Sequence, residues 1–219
     1  MLMSTITREH RRWLALGGVL APMVFVAAVL VTAAARPEYR HASQAISELG
    51  EMGAPRAALM NLGGFLVYGI LILGFAVALH RGIRQGPGDW LGPLLLALYG
   101  VAYVAVAFAP CNPGCTGAVP TANETAHFLL SRVIMLTAVA TPLVLFGRLA
   151  KDTAWAAVSP LVLVLTVLGY LLFLLPIPGL QAGWQQRLFF GCTMAWILVL
   201  AVRLLSLGGK TREVSPPAA

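Results

Sequence analysis

The sequence predicts an all-α fold, a polytopic membrane bundle of six transmembrane helices, and two observations carry that expectation. Of 219 residues, 59% are hydrophobic and only 11% charged, with a mean hydropathy of +0.83. A soluble domain carries roughly 25% charged residues, so this chain has too few polar side chains to coat a globule. The apolar residues also fall into runs of about 20, the length that crosses a hydrocarbon layer roughly 30 Å thick. One membrane domain over about 13–206 follows from these runs, between a short polar N-terminus, 1–12, and a disordered tail, 207–219. The net charge of +7 does not indicate nucleic acid, because the basic residues sit in small clusters between apolar runs and form no continuous patch.

The first span is expected at about 13–35 and holds Pro22, which membrane helices tolerate. This run is too long for the apolar core of a signal peptide. A polar loop over 36–56 comes next. Within it Ser43 can cap a short helix that Gly50 ends, and Ile46 and Leu49 share its apolar face, so it is expected to lie on the membrane surface. Pro55 reads as first-turn punctuation of the second span, at about 57–79, whose Gly63, Gly64 and Gly74 permit close helix contact. The third span is expected at about 90–109, the fourth at about 127–147, the fifth at about 154–175 and the sixth at about 185–206.

Six spans put both termini on one side. Arg8, Arg11, Arg12, Arg81, Arg84, Arg148, Lys151, Arg203, Lys210 and Arg212 flank that side, against Arg36, Arg40, Arg56 and Arg187 on the other. Basic residues accumulate in cytoplasmic loops, so both termini are expected in the cytoplasm and the larger loops outside.

Polar chemistry gathers at the outward ends. His127 and Ser131 are four apart on one helical face, and Arg132 lies roughly 7 Å deeper than His127 at 1.5 Å per residue. Gln185, Gln186 and Arg187 open the sixth span, and His41, Ser43, Ser47 and Glu48 come from the first loop. Converged into one outward pocket, His41, Glu48, Arg132, Gln186 and Arg187 are the candidate binding residues. A charge below the membrane interface costs at least ~2.5 kcal/mol unless paired or hydrated. Arg132 is therefore an anion or head-group anchor, or a structural ion-pair partner of Glu48 or Glu124, or a side chain that snorkels to the surface. His127 is a candidate general base, with Ser47 or Ser131 as nucleophile, and Glu48 or Glu124 as the carboxylates able to orient it. The equally plain alternative is a histidine bonded to a carbonyl.

Cys111 and Cys115 flank Asn-Pro-Gly at Cys-x3-Cys spacing. A disulfide is the leading reading for an oxidising face; two free thiols, or zinc held with His41 and His127, remain open. Cys192 reads as a small buried hydrophobe. Asn123-Glu124-Thr125 fits a glycosylation sequon. No phosphate loop, His-Glu-x-x-His, nucleophile elbow or dinucleotide fingerprint is present, so neither a cofactor nor a metal is expected.

Ser47-Glu48-Leu49-Gly50 after the first span, Phe108-Ala109-Pro110 closing the third, His127 opening the fourth and Gln186-Arg187 opening the sixth resemble the bacterial and archaeal membrane family called domain-of-unknown-function 998. The resemblance covers about residues 13–206. It implies a six-span protein of a bacterial or archaeal cell membrane with these polar positions on one side, and no assigned activity, cofactor or substrate. The cysteine pair is not part of that pattern. The leading functional expectation is binding of a membrane lipid or other amphipathic ligand at the outward pocket. The alternatives are an intramembrane hydrolase or transferase built on His127, and a small transporter, against which the scarcity of ionisable residues at mid-span argues. Partners beyond membrane lipid, and the oligomeric state, are open.

Overall fold

A computed structural model describes residues 8–83, 88–118 and 121–208. The described chain is helical without strands. The helices are α1 (Arg8–Ala34), α2 (Leu59–Gly82), α3 (Leu91–Val106), α4 (Ala122–Leu149), α5 (Ser159–Leu174) and α6 (Ala182–Gly208). By length and composition α1, α2, α4 and α6 can each cross a membrane, whereas α3 and α5 have 16 residues each, or roughly 24 Å of helix. Of the residues behind the charge asymmetry, Arg84, Lys210 and Arg212 lie outside the described residues, as does the tail beyond Gly208.

Each helix packs on its neighbours in sequence, and α6 closes the ring against α1. The alternation up and down brings the connections 35–58, 107–121 and 175–181 to one end, here called the capped end. Close approach depends on glycine where α2 crosses α3: a Cβ on Gly69 would lie 2.6 Å from the Gly100 carbonyl oxygen, so only a backbone without a side chain fits. Beside this crossing Phe25, Phe65, Tyr68, Tyr99 and Tyr103 form an aromatic core, with the Tyr68 and Tyr99 hydroxyls 3.0 Å apart. Large apolar side chains point outward on every helix, among them Trp13, Ile70, Leu98, Leu136, Val164 and Val202, as required where the surrounding solvent is hydrocarbon. At the opposite end Trp155 is fully buried, Arg203 donates to the Ala154 carbonyl, and Arg148 ion-pairs with Asp89.

Four local expectations are corrected. The short helix in the first loop is one 3₁₀ turn, Ile46–Gly50, and Ser43 does not cap it; the Glu48 carboxylate reaches back to the Ala45 N–H instead. Ile46 and Leu49 are buried against the bundle, not laid on a membrane surface. Pro55 stands in the turn before α2, whose first segment, Leu59–Leu66, is wound as a π-helix. The fourth helix begins five residues before the apolar run because the Thr121 hydroxyl caps it, accepting from the Glu124 N–H.

Candidate functional site

The capped end is built by carboxylates that receive backbone N–H groups. Glu51, which is almost fully buried, accepts from Gly114 N at 2.6 Å and pairs with the Arg36 guanidinium at 2.9 Å. Glu124, equally buried, accepts from Asn112 N and Gly117 N. The Met52 N–H donates to the Cys111 carbonyl. These bonds tie the cysteine loop to the first loop and to the start of α4. Arg36 completes its fork on Glu38 and on the Glu48 carbonyl. Desolvation works against its charge, yet Glu38 and Glu51 together outweigh that and hold its pKa above the ordinary arginine value.

The other side of the cap is held by α6. Gln186 accepts from Ile46 N, Trp184 N donates to the Ala42 carbonyl, and Arg187 donates to the Gln44 and Gly183 carbonyls and to the Tyr39 hydroxyl. Burial pushes the Tyr39 phenol up in pKa, partly countered by Arg187. Burial, and then the Arg187 charge, lower His41 below the ordinary histidine value. Gly183 has to be glycine here, since a Cβ would meet the His41 carbonyl oxygen at 2.6 Å.

Beneath the cap lies a small cavity of about 60 Å³, lined by Ser47, His127, Ser131 and Gln186 and floored by Tyr103 and Phe190. His127 is buried, and its Nδ1–H donates to the Ala109 carbonyl at 2.9 Å, which leaves the ring's lone pair on Nε2. Ser47 and Ser131 share this cavity with His127, and among the described residues neither hydroxyl is hydrogen-bonded to it. Cys111 and Cys115 are joined as a disulfide with a Cα–Cα distance of 5.2 Å. One His127 ring nitrogen lies within 4.8 Å of both sulfurs. His41 is not part of that group and packs instead on the Tyr39 ring at the α1–α6 side.

Two lateral crevices open from the bundle toward its apolar surface. One, of about 320 Å³, lies between α1 and α6 with His41 and Arg187 at its rim. The other, of about 510 Å³, lies between α4, α5 and α6 and is lined by Leu136, Leu143, Phe173 and Phe189 with Arg132 and Tyr170. Arg132 is exposed, and among the described residues it has no ion-pair or hydrogen-bond partner. The structure therefore divides the candidate residues among three places. Ser47, His127, Ser131 and Gln186 meet in the inner cavity, His41 and Arg187 sit on the α1–α6 side, and Arg132 lies alone on the far side of α6. Glu48 lines none of these; its carboxylate is occupied by Gln44 and the Ala45 N–H. Arg132 pairs with neither Glu48 nor Glu124.

Sequence reasoning missed Glu51, Tyr39 and Arg36 as architects of the cap. Glu51 carried one signal, as an acidic residue close to the cysteine loop in any folded-back arrangement, but its partners come from distant segments that no local pattern specifies.

An all-helical bundle with an apolar exterior and its charged groups gathered at the two ends defines a helical membrane protein. The chain belongs to the family described as Protein of unknown function (DUF998), whose model matches residues 19–203. No curated protein and no solved structure matches it.

Proposed function

We propose that this protein holds a phospholipid with an anionic head group in the α4–α5–α6 crevice, the phosphate on Arg132 and an acyl chain along Leu136, Leu143 and Phe173. All six helices cross the membrane of a bacterium or archaeon in this reading, with the capped end outward and both termini in the cytoplasm. Support for six crossings comes from α3 and α5, which pack lengthwise against helices that are themselves long enough to span. The balance of basic residues supports the orientation.

One observation carries the lipid reading: Arg132 is a guanidinium with no protein partner, set in an apolar crevice. Leaving that charge bare at membrane depth costs at least ~2.5 kcal/mol. A lipid phosphate is the natural partner, since it brings the opposite charge together with apolar tails that fit the walls. Tyr170 lines the same crevice and offers a hydroxyl to a bound head group, as aromatic residues do at membrane interfaces.

Native mass spectrometry of the purified protein, exchanged into nanodiscs of phosphatidylglycerol or phosphatidylcholine, tests the reading. Wild type retains phosphatidylglycerol preferentially, and Arg132→Gln loses that preference by about tenfold, or 1.4 kcal/mol, while Arg56→Gln, a change at an exposed cation of the cap, leaves it intact. Equal retention of both lipids by wild type and Arg132→Gln would end the proposal. Competition by inorganic phosphate alone would assign the site to a free anion instead.

A further inference from the structure

We propose that Cys111 and Cys115 form a reversible thiol–disulfide centre, with Cys115 as the sulfur that exchanges with an external thiol and His127 as the group that handles the proton at Cys111. This inference is independent of the lipid reading.

The first ground is that the cross-link is redundant as a brace. The cysteine loop is already fixed by Glu124 on Asn112 N and Gly117 N, by Glu51 on Gly114 N and by Met52 N on the Cys111 carbonyl. Closing a loop whose ends are four residues apart removes less chain entropy than closing a long one. The second ground is asymmetry. Cys111 has no exposed surface, whereas Cys115 is partly exposed, so an incoming thiolate reaches one sulfur and not the other. Cys115 also holds a φ of 45°, a conformation L side chains rarely adopt, which presents it at the tip of the loop after Pro113-Gly114.

The third ground is that the reduced form is provided for. The Ser47 carbonyl lies 3.8 Å from Cys111 Sγ, positioned to accept from a thiol S–H there. His127 is held by its Nδ1–H bond to Ala109, with a ring nitrogen within 4.8 Å of both sulfurs.

The chemistry balances with a thiol as the named co-reactant. A thiolate attacks Cys115 Sγ, a sulfur–sulfur bond forms there, and the Cys111–Cys115 bond breaks with its electron pair going to Cys111. The proton lost by the attacking thiol is delivered through His127 to Cys111. A second thiol then attacks the mixed disulfide and releases Cys115 as a thiol. Two external thiols have become one disulfide, and the protein has gained two electrons and two protons.

The test uses the full chain in micelles on a Cys192→Ser background, equilibrated in mixtures of oxidised and reduced dithiothreitol, acid-quenched and alkylated before intact-mass analysis. The folded protein is expected to pass from no added alkyl groups to two in a single transition, with an unchanged size-exclusion profile. Cys111→Ser should form a stoichiometric mixed disulfide with glutathione, and Cys115→Ser should leave Cys111 unmodified. His127→Ala should slow reduction by roughly tenfold, below the usual range for general catalysis because a thiolate is a good leaving group. A disulfide reduced only after denaturation overturns the proposal, as does equal labelling of the two single variants. So does a reduced pair protected from alkylation by one equivalent of bound zinc, which would make Cys111, Cys115 and His127 a metal site.

Discussion

Removing the Glu51 carboxylate probes how the capped end is held. Glu51→Ala deletes a 2.9 Å ion pair with Arg36 and a 2.6 Å bond from Gly114 N. Breaking a buried pair commonly costs about 3–5 kcal/mol because it strands a charge. That full penalty does not apply, since Arg36 keeps Glu38 and the Glu48 carbonyl. What remains is the loss of a part-buried hydrogen bond from Gly114 N to a charged acceptor, about 1.5–3 kcal/mol, and of an ionic contact whose guanidinium keeps two other acceptors, at most about 1 kcal/mol. The expected loss is about 2–3 kcal/mol, equivalent to a drop on the order of 5–10 °C in melting temperature for a chain of this size. Fluorescence-detected size exclusion after heating in micelles measures it. Glu51→Gln, which keeps an acceptor oxygen for Gly114, should recover about half of the loss. In a double-mutant cycle with Arg36→Ala the coupling should be no more than about 1 kcal/mol. An unchanged melting temperature for Glu51→Ala would show that the loops are held by apolar packing alone, and the account of the cap would fail.

Two further outcomes follow from the same structure. Gly69→Ala puts a methyl 2.6 Å from the Gly100 carbonyl and 2.8 Å from Val104 N, where only backbone could yield, so a loss of about 1–3 kcal/mol is expected; Gly191→Ala, with open space around it, should be neutral in the same thermal assay. Burial and the Arg187 charge favour neutral His41 in the folded state, so as pH falls the unfolded chain takes up that proton first. Stability is therefore complete above the ordinary histidine value of about 6.5 and declines as pH falls from there through the folded value. Melting curves at pH 7.5 and 5 should show a smaller decline for His41→Gln; an identical decline would remove His41 as its source.

The helices were legible from their apolar runs because a membrane span must satisfy its own backbone, and that demand writes itself into length and composition. Their ends were less so. Thr121 and Glu124 announce the start of α4 by their spacing, but the apolar run itself begins several residues later. Helical periodicity also held more about Arg132 than its depth: Leu129, Arg132, Leu136 and Leu143 fall on one exposed stripe, while His127, Ile134, Ala138 and Leu145 form the buried one. Grouping Arg132 with His127 by proximity along the chain ignored the turn of the helix between them. The cap was the least legible part. Tyr39, Arg36 and Glu51 act through backbone groups of segments far away in sequence, and hydrogen bonds of that kind leave no periodic trace.

The ring is sealed by its last member, and that has a consequence for biosynthesis. The Ile46 N–H and the Ala42 and Gln44 carbonyls reach across to Gln186, Trp184 and Arg187, some 140 residues downstream. Until α6 has been made, those backbone groups have only water or their own loop to bond on that flank. A nascent chain stalled before Ala182 would therefore lack the bonds that fix residues 42–46, and protease should cut that segment faster than in the finished protein, so the final helix sets the moment at which that end of the molecule becomes rigid.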